Sequence, residues 1–560
     1  MSLFSKTILM ALPILLCCGQ SGYSQPAAPV SSGTHEIAGV VLSTRTGLPV
    51  RDAEVNLTRS KDGMLVAQTA TDAEGRFSIP QLSNGKYSLQ AAHRGYITAA
   101  YDEHENGSTA IVTGEGLVST GIRFMLAPQA VIFGVVSDDS GDPVPGASIA
   151  LYRQNVSAGA GKAIRAGGAG SDELGNYEIA HLPPGNYLMS VVATPWYAAH
   201  APTRNDALDR TAAGGANSQP RSPLDVAYPV TYYPDVADSA FAVPIAVNAG
   251  ERVQINVSLH PVPAIHAVIH VPSHGPEGQF MPQVSRNVFG FSDTVQANIS
   301  IAAQGGSPGS VAAFEISGIA PGSYDLELTG PNGESNRATS VDLNSDQALD
   351  ISAAPSLAGV SGKIVMAGGE NLPSSLFVAL TPQQGQDLAY APIEPDGGFH
   401  IRSLRPGTYE FAVFAIRTFA YTMTTTRITV NGAALKGHLL TLGSEPVTLT
   451  AALTESTATV NGYATLDGKP TPGIFLELVP RNPSAGRAAM GVNQSDSDGS
   501  FNFLHVLPGE YTLVAIQEGW TLDWADPGAM APYLAKGLKV VVPPHANEIN
   551  LKDSVEVQPK

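Results

Sequence analysis

Tyr177-Glu178-Ile179-Ala180-His181-Leu182-Pro183-Pro184-Gly185-Asn186-Tyr187 is the second of five copies of one pattern in a chain of 560 residues. An aromatic residue is followed two later by an apolar one, three further on by another, then by Gly, and two after that by Tyr. The other copies are Phe77, Ile79, Leu82, Gly85, Tyr87; Phe314, Ile316, Ile319, Gly322, Tyr324; Phe399, Ile401, Leu404, Gly407, Tyr409; and Phe501, Phe503, Val506, Gly509, Tyr511. The aromatic and the Tyr stand ten residues apart in all five, which marks a repeat protein.

The pattern has a physical reading. Apolar residues at i and i+2 share one face of a strand. The Gly, preceded by Pro184, Pro321, Pro406 or Pro508 in four copies, suits a tight turn at positive φ. The alternation then resumes, as in Tyr87, Leu89, Ala91 and in Tyr511, Leu513, Ala515. A hairpin with one buried face is expected. An acidic turn precedes the aromatic in four copies: Asp72 with Gly75, Asp172 with Gly175, Asp396 with Gly397, Asp498 with Gly499.

Further out, Gly39, Gly134, Gly362 and Gly462 open a strand 48, 53, 47 and 49 residues before the repeat Tyr. Stretches such as Ile122 to Leu126, Val253 to Leu259 and Val447 to Leu453 close each unit. Six or seven short strands with frequent turns describe an all-β chain, a tandem array of antiparallel Greek-key β-sandwiches with little helix. The expected division is a leader at 1–24, a linker at 25–34, then sandwiches at 35–128, 129–262, 263–355, 356–455 and 456–560. The third is degenerate, lacking the opening Gly and the acidic turn. The second carries a polar insert at 201–227, expected to be disordered. Helical turns are expected at Asp238 to Ala242 and at Asp526 to Lys536, where Pro527 suits a first turn.

Composition agrees. There are 57 Gly and 42 Pro, charged residues make 14%, and 31 basic against 49 acidic side chains give a net charge of −18. That balance opposes a nucleic-acid partner, which requires a basic face. Lys6, the apolar run Ile8 to Cys18, and Gly22 and Ser24 before Gln25 have the anatomy of a secretory signal. Export to the periplasm, cell surface or extracellular space follows. Lipid attachment at Cys17 or Cys18 is the less favoured form, because Leu16 or Cys17 stands where a small residue belongs. Beyond the leader no apolar run is long enough to span a bilayer. The mature chain would hold no cysteine, so each domain must rest on its own core.

The opening Gly-Val-Val strand, the turn Gly141 to Gly146 with Pro143 and Pro145, and Leu182 to Tyr187 resemble carboxypeptidase regulatory-like domains. These belong to a prealbumin-like, carbohydrate-binding-like group of β-sandwiches. The resemblance is good in the first two units, fair in the fourth and fifth and weak in the third. It implies a fold rather than an activity.

Catalytic constellations are hard to find. His274 with Glu277 and His545 with Glu548 have zinc-ligand spacing but lie in Pro/Gly-rich or strand-flanking segments. Gly305, Ser307 and Gly309 match a nucleophile elbow without the following helix. Gly159 to Lys162 is too short for a phosphate loop, and Asp496, Asp498 and Gly499 form a turn with too few oxygen ligands for calcium. No enzyme, cofactor or metal is expected. The leading expectation is a non-catalytic interaction or structural module of the cell envelope or extracellular space, with polysaccharide or envelope proteins as partners. The alternative is a carbohydrate-binding protein using aromatic platforms on sandwich loops.

Aromatic residues supply the candidate site. Tyr96, Trp196 and Trp520 follow the repeat Tyr by nine residues, and Phe419 follows Tyr409 by ten. Closing the end of each sandwich explains most of these. Trp524, which has no counterpart at its register in the first two units, makes the fifth unit's loop the expected ligand site. Its members would be Trp520, Trp524 and Tyr533, with Trp196 in the second unit.

Overall fold

The computed structural model describes residues 33–104, 107–154, 163–200, 222–272, 280–303, 311–330, 335–351, 354–383, 388–415, 423–455, 458–482 and 489–560. The leader, Gly159 to Lys162, residues 201–221 of the insert, His274 with Glu277, the Gly305 to Gly309 segment and Phe419 lie outside them.

Five sandwiches follow one another, each around its own apolar core. In the first, one sheet orders Arg76–Leu82, His35–Ser43 and Ile122–Leu126, and the other centres on Glu54–Arg59 and Gly85–Ala92. Pairing is antiparallel except where the opening strand of every unit runs parallel to the closing one and where Gly509–Ile516 of the fifth runs parallel to Val555–Gln558. In the fifth, Val555–Gln558 pairs with both Ala458–Leu466 and Gly509–Ile516, joining the two layers at one edge. Among the described residues the α-helix is Pro527–Leu534, capped by Asp526, and Asp238 caps a 3-10 turn at Ser239–Phe241. No helix of the described residues is long and apolar enough to cross a membrane.

The repeat is a corner rather than a hairpin. Asn176–Leu182 pairs with the opening strand Ala130–Asp138, whereas Gly185–Val192 pairs with Ser148–Gln154 in the opposite layer. The same division holds in all five units. The chain therefore crosses the core at the turn, and the aromatic and the Tyr enter the core from opposite sheets. Each Tyr hydroxyl donates back to the carbonyl four residues earlier: Tyr87 to Ser83 at 2.9 Å, Tyr187 to Pro183 at 2.5 Å, Tyr324 to Ala320 at 2.5 Å, Tyr409 to Arg405 at 2.8 Å and Tyr511 to Leu507 at 2.7 Å. This is a tyrosine corner, present five times.

The three-residue step inside the motif is a β-bulge. Leu182 faces Ala130 and Ile179 faces Ile132, so two residues oppose one, and the other four units repeat the shift. The second of the two adopts a left-handed conformation: Gln81, His181, Gly318, Ser403 and His505, at φ from 55° to 81°. This relocates the expected strain. Gly85, Gly322, Gly407 and Gly509 do not take positive φ; a Cβ there would meet only the ring of the following Tyr, at 3.4–3.7 Å. Positive φ falls instead on the glycines of the acidic turn, Gly75, Gly175, Gly397 and Gly499. Their carbonyls accept from Val41, Val136, Ile364 and Ala464 of the opening strand.

The opening Gly also has a role. Gly39, Gly134, Gly362 and Gly462 lie opposite the repeat aromatics Phe77, Tyr177, Phe399 and Phe501. In the first, second and fourth units a Cβ there would overlap the closing strand's carbonyl at Ile122, Ile255 or Leu449. In the third unit Ile269 takes that place opposite Phe314.

Candidate functional site

The array closes on itself, because the first sandwich meets the fifth across a polar seam. Gln494, almost fully buried, donates to the Asp102 carbonyl and to Thr109 Oγ1, both at 2.7 Å. Its amide oxygen can only accept, so His104 Nδ1, 3.0 Å away, carries the proton. Asp496 pairs with Lys86 at 2.5 Å and accepts from the Ala110 amide at 3.2 Å. Burial raises the Asp496 carboxyl, and Lys86 opposes that shift. Ser497 completes the seam, donating from its amide to the Ala110 carbonyl and accepting at Oγ from Val112. The acidic turn of the fifth unit thus serves as a dock.

Trp520 belongs to this seam. It sits in the turn Gly519–Thr521. Its ring meets Phe475 edge-on at 4.9 Å and stacks on His104 of the first sandwich at 4.9 Å and 8°. Its stacking face is therefore occupied by another residue of the chain. Trp524 and Tyr533 pack with it onto a small second core of Phe475, Val514, Ile516 and Met530 on the outer side of the fifth sandwich. The structure so brings three of the four expected aromatics together, as the packing of a domain end. Trp524 also borders an opening of about 530 Å³ between the fourth and fifth sandwiches. Trp196 stands apart in the second sandwich, 81% exposed and edge-to-face with Tyr197 at 5.7 Å. End-closure fits Tyr96, which packs on the first core, and does not fit Trp196.

The second and third sandwiches are joined by a buried chain of titratable groups. Asp225 lies 2.9 Å from His200 Nδ1 and 2.9 Å from His266 Nε2, and His266 Nδ1 lies 2.8 Å from Glu315. Arg405 bridges the third and fourth, reaching Asp325 at 2.9 Å and Glu327 at 2.8 Å. A larger opening of about 890 Å³ lies between the second and third sandwiches, and Arg165 on its wall is paired with Asp293 at 2.8 Å. Among the described residues no three His, Cys, Asp or Glu side chains converge as a metal centre requires. Of the expected zinc-spaced pairs, His545 sits in a turn at φ 64° and Glu548 accepts from Asn461 at 2.8 Å.

One residue of chemical interest escaped the sequence reading. Glu477 is buried and neither carboxylate oxygen has a hydrogen-bond partner. In Leu476-Glu477-Leu478 it reads as the solvent-facing position of an alternating strand.

The chain is a tandem β-sandwich protein. Residues 36–113 and 131–210 match the family model of the carboxypeptidase regulatory-like domain, so its first two sandwiches are domains of that family in tandem. No curated protein matches the sequence. Among solved structures, similarity extends to the minor pilin GBS52 of Streptococcus agalactiae, 13% identical over 41% of this chain and 97% of that one at a TM-score of 0.21. The Bacillus anthracis TIE protein is 12% identical over 75% and 73% at 0.16. Shaft pilin SpaA of Lactobacillus rhamnosus GG is 10% identical over 41% and 98% at 0.18. Likenesses of this degree carry no argument about what the chain does.

Proposed function

We propose that the chain is an exported, non-catalytic interaction or structural module of the cell envelope or the extracellular space. The observation that supports this most is the engagement of its polar side chains between domains. Lys86, Asp102, Gln494 and Asp496 hold the first sandwich to the fifth, and His200, Asp225, His266 and Glu315 hold the second to the third. Groups used in this way form a scaffold. The test is to express the full-length chain in a bacterial host and measure the intact mass of the exported fraction. A product beginning at Gln25 supports the reading. A cytoplasmic product that keeps residues 1–24 overturns it, and an acylated Cys17 or Cys18 replaces the soluble form with an anchored one.

Carbohydrate binding is the second reading, favoured by Trp196. An exposed indole offers the flat apolar surface on which the C–H face of a sugar ring stacks. Affinity electrophoresis against soluble polysaccharides, comparing wild type with Trp196→Ala, decides it. Retardation of the wild type that is lost in the variant supports this reading. Equal mobility of the two, or no retardation of either, removes it.

A further inference from the structure

Glu477 lies in the strand Phe475–Pro480, opposite Val492 on one side and Val514 on the other. Leu476 and Leu478 enter the main core of the fifth sandwich, so alternation sends Phe475 and Glu477 to the outer face. That face is covered by the helix Pro527–Leu534, whose Met530 packs on Phe475 and Val514. The carboxyl is thus buried among apolar neighbours with both oxygens unpartnered, an arrangement that opposes folding. Burial pushes the carboxyl up to about 8, so it holds its proton at neutral pH.

Glu477 also lines the opening of about 530 Å³ between the fourth and fifth sandwiches, a size that suits a small organic ligand. Trp524, Met490, Met530 and Leu534 form its apolar walls on one side, and Pro382 faces them from the fourth sandwich. Its other titratable lining groups are Glu410 and His438, and the covering helix adds Tyr533. Burial holds the His438 imidazole below its ordinary value, and Glu410 partly offsets this, so His438 adds little positive charge at neutral pH. Among the described lining residues none is Lys or Arg.

We propose that this opening binds an organic ammonium ion carried on an apolar stem, with Glu477 as counter-ion and Trp524 as the aromatic wall. An ammonium group donates to carboxylate oxygens that nothing in the chain satisfies, and an indole face attracts a cation. The methionines and Leu534 accept the stem, and a described lining without Lys or Arg offers an anion no counter-charge. Binding is non-covalent. Glu477 arrives protonated, the ligand's charge stabilises the carboxylate, and one proton passes to solvent for each ammonium bound. The site is separate from Trp196, so failure of the carbohydrate reading leaves it standing, and the reverse holds.

The test is calorimetric titration of the full chain at pH 7 with n-hexylammonium chloride, and with 1-hexanol as the neutral counterpart, in two buffers of different ionisation enthalpy. Hexylammonium should bind at least about tenfold more tightly than hexanol and release close to one proton. Glu477→Gln should weaken binding about tenfold or more and abolish proton release, while Trp524→Ala should weaken it about fivefold with proton release intact. Repeating the wild-type titration at pH 9.5 guards against a misfolded variant: the carboxyl is then already ionised, so proton release should vanish while binding persists. Hexanol binding as well as hexylammonium, unchanged affinity in Glu477→Gln, the absence of any heat from hexylammonium, or the same proton release at both pH values would each overturn the proposal.

Discussion

The fifth sandwich has two flanks, and they are finished in opposite ways. Toward the first sandwich, Gln494, Asp496 and Ser497 each find partners, and Trp520 is held between Phe475 and His104. Toward the fourth, Trp524 borders an opening, and Glu477 beneath the helix has no partner at all. A buried polar network that is satisfied rigidifies an interface, and an unsatisfied one opposes folding. One strand segment thus serves two purposes: Phe475 supports the seam and Glu477, two residues on, faces the opening. The seam reads as architecture and the opening as a place for something else.

Removing the seam's indole should have the largest effect. Trp520→Ala should destabilise the fifth sandwich by about 3 kcal/mol, the loss expected for truncating a packed aromatic, and should separate the first and fifth sandwiches. Thermal denaturation and small-angle scattering read both effects. Trp196→Ala, at the same repeat register but exposed, should change stability by less than about 0.5 kcal/mol. Equal effects would show that Trp520 is not held as described.

The opposite flank answers to pH. The folded state keeps the Glu477 proton up to about pH 8, whereas the unfolded chain releases it near the ordinary carboxylate value of about 4.3. Between those limits the folded state binds more protons, so this group lowers stability as pH rises, and the loss stops growing above the upper limit. Glu477→Leu removes that slope. Its advantage over wild type in urea denaturation should grow by on the order of 2–3 kcal/mol from pH 4.5 to pH 9, less than the full linkage because the site relaxes. An advantage independent of pH would place the ionisation elsewhere.

The seam's ion pair has a smaller share. Lys86 keeps 33% of its side chain exposed, so solvent screens the pair, and Asp496→Asn should cost only about 1 kcal/mol. The loss should shrink in high salt. A cost several times larger would mean that the pair, not the Trp520 packing, holds the two sandwiches together.

The fold was legible because its strongest constraints are local. Tyr at a fixed distance from an aromatic encodes the corner, and the three-residue step between Ile179 and Leu182 encodes the bulge, although in sequence alone both look like parts of a hairpin. The pairing of arms with different sheets was not legible, since two successive strands with one apolar face look alike whether they join one layer or two. The aromatic cluster at Trp520, Trp524 and Tyr533 was visible as an anomaly. End-closure by Trp520 was legible too; its stack on the first sandwich was not, because His104 lies 416 positions away in sequence. Glu477 gave no signal, since only the covering helix turns an outward position into a buried one.

A local effect tests the fifth sandwich apart from either flank. His505 is the left-handed bulge residue of that unit, at φ 55° and exposed. A β-branched residue resists this conformation, whereas Gly adopts it freely and loses more chain entropy on folding. Both substitutions remove the same imidazole, so the difference between them isolates the backbone. His505→Val should be less stable than His505→Gly by about 1 kcal/mol. Neither should open the seam with the first sandwich, because the bulge lies on Ser500–Val506, opposite the opening strand. Scattering profiles of both variants should match the wild type under native conditions. If His505→Val separates the first sandwich while remaining folded, the docking depends on the corner as well as on Trp520 and Gln494, and the contrast between the two flanks narrows.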